Sequence, residues 1–110
     1  MAVVELFRAL GDPSRLEMVR RLSSGEPYTI NSISKGLEIT RQGARKHLQI
    51  LADAHLIILE SIGRDTRVRL DRETLEQGRA FIVELERRWE KRLEALRLFV
   101  DDEQADHTSP

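Results

Sequence analysis

A mainly α-helical fold carrying one small β-hairpin is what this sequence predicts, and three observations predict it. Apolar residues recur at helical spacing through the first half of the 110 residues and again through the last third. Between these stretches, over residues 56–70, the period changes to two. Capping and turn residues stand where the pattern changes: Asp12-Pro13, Thr40, Gly63-Arg64-Asp65 and Asp71. The length suits one domain with a modest core.

The first element runs from Ala2 to Leu10, with Val3, Val4, Phe7 and Leu10 on one face, and stops at Gly11. Asp12 caps a second helix, and Pro13 suits its first turn because that position needs no amide hydrogen. Leu16, Met18, Val19 and Leu22 supply its buried stripe, Ser23-Ser24-Gly25 ends it, and Glu26-Pro27-Tyr28 reads as a connector. Thr29 caps a short helix that turns Ile30, Ile33 and Leu37 inward. After a tight turn near Gly36, Thr40 caps another helix with Ala44, Leu48 and Leu51 on one side. Its other side displays Arg41, Gln42, Arg45, Lys46 and Gln49. Two short helices joined by a tight turn, the second showing a polar and basic face, form a helix-turn-helix.

Leu56 to Ile62 and Thr66 to Leu70 then read as two strands about a glycine-containing loop. A lone hairpin is marginal, so Val68 and Leu70 are expected to pack on the helices while Arg67 and Arg69 face out, as a wing. Asp71 caps the last helix, from about Arg72 to Phe99, where Leu75, Ile82, Trp89 and Leu96 repeat every seven residues, with Leu85 between. So long a strip has no partner within one small chain and is expected to bury against a second copy. Gly78 interrupts the helix, in keeping with a close helix approach. Residues 101–110 read as a flexible acidic tail.

Hydrophobic residues make up 40% of the chain and charged ones 34%, with a formal net charge of −1 and no cysteine. The lack of cysteine excludes disulfides, thiolate metal sites and cysteine nucleophiles. No apolar run approaches the roughly 20 residues needed to span a bilayer, and the N-terminus carries no signal-peptide pattern. A soluble, cytoplasmic protein with no membrane partner is the expectation.

Charge is unevenly spread. Residues 35–70 carry seven basic and four acidic side chains, whereas residues 71–110 carry seven basic and eleven acidic. A locally cationic face on a near-neutral chain is what a polyanion binder requires. Thr40, Arg41, Gln42, Arg45 and Lys46 of the second helix, with Arg64, Arg67 and Arg69 of the hairpin, are the candidate DNA-binding residues. Gln42 and Arg45 suit base edges, since glutamine pairs with adenine and arginine with guanine; Arg41 and Lys46 suit phosphates. The plainer readings stand beside these: a solvated helix face, and edge charges that discourage strand pairing.

The residues Phe7-Arg8-Ala9-Leu10-Gly11-Asp12-Pro13-Ser14-Arg15-Leu16, the stretch Thr40 to Leu51 with its Lys46-His47-Leu48, and Gly63-Arg64 through Leu70-Asp71 together resemble the ArsR/SmtB family of bacterial winged helix-turn-helix repressors. The resemblance covers roughly residues 5–100. It implies a single winged helix-turn-helix domain over residues 1–100, with the helix-turn-helix at about 29–54, the wing at about 56–70 and the dimerisation helix at about 72–99. It also implies a homodimer that binds a palindromic operator in double-stranded DNA and represses transcription until an effector releases it. Val3, Val4, Phe7, Leu75, Ile82, Leu85, Trp89 and Leu96 are the expected dimer interface. His55 stands where the family has a glycine, and Ile58 and Ile62 occupy wing positions that are often polar in the family.

The family's metal sites require cysteines near the third helix or histidines on the last, and residues 71–100 contain neither. His47, His55 and His107 share no ligand spacing. No metal and no cofactor are expected, and the effector is read as non-metal. A pocket lined by Trp89 and Phe81 at the dimer seam is the alternative to a purely structural tryptophan. Ser14, Ser23 and Asp53 lack a histidine in any nucleophile-like setting, so no enzyme is expected. The competing function is a winged-helix protein-interaction module without DNA binding, favoured by the acidic final third.

Overall fold

The computed structural model describes residues 2–108, with side chains through Glu103. In chain order the elements are α1 (Ala2–Leu10), α2 (Pro13–Leu22), β1 (Tyr28–Thr29), α3 (Ile30–Ile33), α4 (Arg41–Asp53), β2 (Ile57–Ile62), β3 (Asp65–Leu70) and α5 (Arg72–Thr108). They fall into two compact units, Met1–Gly78 and Arg79–Pro110.

In the first unit, Leu6, Met18, Ile33, Leu48, Leu51, Leu56 and Val68 are fully buried and come from every layer of the fold. Each such side chain removes apolar surface worth about 1.5–3 kcal/mol from water. The Asp12 carboxylate accepts from the amides of Ser14 and Arg15 at 2.9 and 3.1 Å, so the predicted cap and Pro13 start α2 together. Leu16 departs from expectation at 54% exposed. On a 3.6-residue turn it lies near Val19 but well away from Met18 and Leu22, at the edge of the buried stripe, and Arg15 takes the inward place, half-buried, with its Nε donating to the Ala9 carbonyl at 2.6 Å. In α1 the buried face centres on Leu6 and Ala9, with Phe7 and Leu10 packed beside them and Val4 turned outward.

The sheet has three antiparallel strands in the order β1-β3-β2. Sequence periodicity predicts only the β2–β3 hairpin. Tyr28 and Thr29, read there as connector and cap, pair with Val68 and Arg67, so β3 is the central strand. In the hairpin Ile57 pairs with Leu70 and Ile62 with Asp65, leaving Gly63-Arg64 as a two-residue loop. A positive φ of 61° at Gly63 and none at Arg64 is the pattern of a type II′ turn, whose twist matches that of the strands. Val68 is buried and Leu70 packs on the core as expected. Arg67 does not simply face out: β1 and β2 flank it, it is half-buried, and its Nε is shielded from solvent without a hydrogen-bond partner.

His55, in the glycine position of the resemblance, adopts a left-handed φ of 60° directly after α4. Asp71 caps α5 through the amide of Glu73 at 3.1 Å. Gly78 is buried, and a Cβ there would meet the Leu6 methyls at 3.3 Å, which accounts for a glycine inside a helix. The helix continues through Thr108, beyond the end predicted at Phe99, across most of the segment read as a tail; Ser109 and Pro110 lie outside the described residues. Nothing between 100 and 108 breaks a helix, although Asp101, Asp102 and Glu103 oppose the negative end of its dipole. In the second unit Ile82, Trp89 and Leu96 repeat every seven residues and, with Leu85 and Leu93 between them, are all exposed. No helix among the described residues is long and apolar enough to cross a membrane.

Candidate nucleic-acid interface

The helix-turn-helix is assembled by local hydrogen bonds before any tertiary contact is counted. Thr29 and Ser32 form a reciprocal capping box: the Ser32 amide donates to Thr29 Oγ1 at 3.2 Å and the Thr29 amide to Ser32 Oγ at 2.8 Å. Gly36 has a φ of 82°, which lets the chain reverse after α3. Arg21 of α2 then fixes the turn from beneath. One nitrogen of its guanidinium donates to the carbonyls of Ile33 at 2.9 Å and Lys35 at 2.6 Å, groups that the short α3 leaves without helical partners. Glu17 holds the same guanidinium at 3.4 Å.

Thr40 Oγ1 accepts the Gly43 amide at 2.9 Å and starts α4. A Cβ at residue 43 would stand 3.1 Å from that hydroxyl, so glycine gives the cap room to close. Ala44, Leu48 and Leu51 bury one face of α4, and Gln42, Arg45 and Lys46 are exposed away from it; Arg41, expected beside them, lies on the Ala44 and Leu48 side and is exposed because it opens the first turn. Residues 39–52 contain no acidic side chain. Among the described residues, Arg41, Arg45, Lys46 and Arg64 have no ion pair, whereas Arg20 and Arg21 pair with Glu17, and Arg69 with Glu60 at 2.9 Å.

His47 locks the roll of α4 about its axis. Its Nδ1 lies 3.1 Å from Arg15 Nη1 and 3.9 Å from Asp12 Oδ2. A guanidinium has no lone pair, so Nδ1 accepts and the ring proton sits on Nε2. The start of α2 and the middle of α4 are thus joined by a half-buried polar cluster. The Arg15 amide on Asp12, helped by the Arg15 guanidinium charge and the Ser14 amide, outweighs partial burial and holds the Asp12 carboxyl below its usual range.

The structure therefore brings Thr40, Arg41, Gln42, Arg45 and Lys46 to the exposed surface of the N-terminal half of α4, with Arg64 exposed at the hairpin tip. Arg67 and Arg69 differ from these, the one partly shielded and the other neutralised. Of the expected dimer residues, Phe7 and Leu75 pack on the core of the first unit, Val3 is half-buried and Val4 exposed. Ile82, Leu85, Trp89 and Leu96 are exposed in the second unit. The roles of Arg21 and Arg15 went unread in the sequence, because the carbonyls and the ring they serve are distant along the chain. No group of three or more histidine, aspartate or glutamate side chains arranged to hold a metal occurs among the described residues.

Residues 10–60 match a family model described as a helix-turn-helix domain. The structure is similar to an ArsR-like transcriptional regulator from Rhodococcus sp. RHA1, with a TM-score of 0.77, 26% identity, and coverage of 89% of this chain and 92% of that one. It is also similar to an ArsR family transcriptional regulator at TM-score 0.75 and 28% identity, covering 81% and 91%. The homodimeric winged helix-turn-helix DNA-binding domain of a Mycobacterium bovis protein shares the fold, at TM-score 0.62 and 18% identity over 82% and 83%. No curated protein matches the chain.

Proposed function

We propose that this chain, whose helix-turn-helix match and similarity to ArsR-family transcriptional regulators support a place in the ArsR/SmtB winged helix-turn-helix family, is a dimeric, sequence-specific DNA-binding repressor released by a non-metal effector. One observation carries this reading. The exposed N-terminal half of α4 presents three cations and a glutamine, with no acidic residue between 39 and 52, on a helix whose inner face is buried in the core.

Two such helices, related by a two-fold axis, fit successive major grooves about 34 Å apart. Gln42 and Arg45 read base edges, Arg41 and Lys46 hold phosphates, and Arg64 of the wing reaches the neighbouring minor groove or its backbone. The exposed apolar repeat of Ile82, Leu85, Trp89 and Leu96 supplies the dimer contact. Repression, the palindromic operator and cytoplasmic location follow from the family, and a small-molecule effector would find apolar surface beside Phe81 and Trp89.

Selection of bound duplexes from a random DNA pool tests the reading. Recovery of an inverted-repeat sequence, bound with an affinity that falls steeply as salt rises, is the expected result. No enrichment, together with a flat salt response, would favour the protein-interaction reading.

A further inference from the structure

A cleft of about 250 Å³ opens between α3 and the start of α4, lined by Ile30, Asn31, Ser34, Lys35, Arg41 and Ala44. We propose that this cleft is a seat for one phosphodiester of the DNA backbone, with Lys35 and Arg41 neutralising its charge and Asn31 and Ser34 donating hydrogen bonds. The inference rests on the DNA-binding reading above and adds three residues that neither the recognition row nor the wing contains.

Chemistry and placement both support it. The lining holds two cations, two neutral hydrogen-bonding side chains and no carboxylate. Lys35 and Arg41 have no ion pair among the described residues, so their charge is available to a ligand. Ile30 and the buried Ala44 give an apolar wall suited to deoxyribose.

A second cleft, of about 240 Å³, provides an internal contrast. Glu5, Arg8 and Asp53 line it with Ala9, Ile50 and Ala54, and there two carboxylates outnumber one guanidinium. Similar space with opposite charge balance repels a polyanion.

The α3–α4 seat is also built in advance. The Arg21 guanidinium holds the Lys35 carbonyl at 2.6 Å and the Ile33 carbonyl at 2.9 Å, so the backbone bearing Lys35 is fixed before DNA arrives. Pre-positioning of this kind lowers the entropy cost of binding.

The test measures duplex affinity against salt for the 110-residue protein and its Lys35→Ala, Asn31→Ala, Arg45→Ala and Arg20→Ala variants. Lys35→Ala removes one phosphate contact per protomer. In a two-fold pair the slope of log affinity against log salt falls by about 1.8, and the wild-type advantage shrinks about twelvefold between roughly 50 and 200 mM salt. The loss is equal on selected and random duplexes. Asn31→Ala weakens both duplexes without changing the slope, and Arg20→Ala, an exposed cation on α2, matches wild type.

A folded Lys35→Ala protein with wild-type affinity and slope, or one losing selectivity instead, overturns the proposal. So does a Lys35-dependent response to inorganic phosphate with no change in the DNA slope, which assigns the cleft to a free anion. Failure of the function reading looks different: the wild type itself then lacks salt-dependent duplex binding. If instead Arg45→Ala loses selectivity while Lys35→Ala keeps the wild-type slope, only the cleft assignment falls.

Discussion

Removing the Arg21 side chain tests whether the turn between α3 and α4 is held from beneath. Arg21→Ala deletes two charged hydrogen bonds, to the carbonyls of Ile33 at 2.9 Å and Lys35 at 2.6 Å, and a 3.4 Å pairing with Glu17. Hydrogen bonds involving a charged group contribute about 1.5–3 kcal/mol each. The Arg21 side chain is 24% exposed and the Lys35 bond lies toward solvent, so water recovers part of that loss. The expected destabilisation is therefore about 2–4 kcal/mol. At about 4 °C per kcal/mol for a domain of this size, the melting temperature falls by about 8–16 °C. Arg21→Lys retains one point donor and recovers less than half of the loss, because an ammonium does not reproduce the guanidinium's fixed geometry. Thermal and urea unfolding of the three proteins read these values directly. A loss below about 0.5 kcal/mol for Arg21→Ala would refute the reasoning, since surface substitutions without structural consequence fall within that range.

Gly43→Ala gains up to about 1 kcal/mol of helix propensity but crowds the Thr40 hydroxyl at 3.1 Å, so its net effect on unfolding is near zero; in a Thr40→Ala background, where no cap is left to disturb, the same substitution stabilises by about 1 kcal/mol. Asp12 has its folded-state pKa held below the usual 3.8, so its contribution is present above that value and is lost as pH falls through the folded pKa. Urea midpoints taken across the acid range therefore fall less steeply for Asp12→Asn than for wild type. Trp89→Ala removes the largest apolar side chain of the exposed α5 repeat and raises the dimer dissociation constant at least about 30-fold by sedimentation, corresponding to about 2 kcal/mol, with the fold of the first unit unchanged.

Much of this architecture was legible because its signals are local. Asp12-Pro13, Thr40 and Gly63-Arg64 act within four residues of themselves, and each sits where it was placed. The exposed row of α4 was legible for the same reason: a 3.6-residue period turns Gln42 and Lys46 well away from Leu48 once the buried side is known. What escaped depends on distant parts of the chain. Two residues, Tyr28 and Thr29, carry no periodicity, and only β3 makes them a strand. Leu16 appears apolar and inward until Arg15 finds Ala9 and His47. Arg67 alternates correctly, yet its place in a central strand shields it. The α3–α4 cleft joins Lys35 to Arg41 across a turn, a juxtaposition that charge counting alone does not reveal.

The selectivity of Arg45→Ala tests the central claim most directly. Binding of wild type and variant to the selected duplex and to a random duplex, at one fixed salt concentration, gives the ratio that matters. A bidentate base contact contributes about 1–3 kcal/mol, so the variant's preference for the selected duplex falls about 5- to 150-fold per half-site, with preference relaxed at one base position. An unchanged preference in a folded, dimeric Arg45→Ala protein would contradict the assignment of α4 as the element that reads sequence.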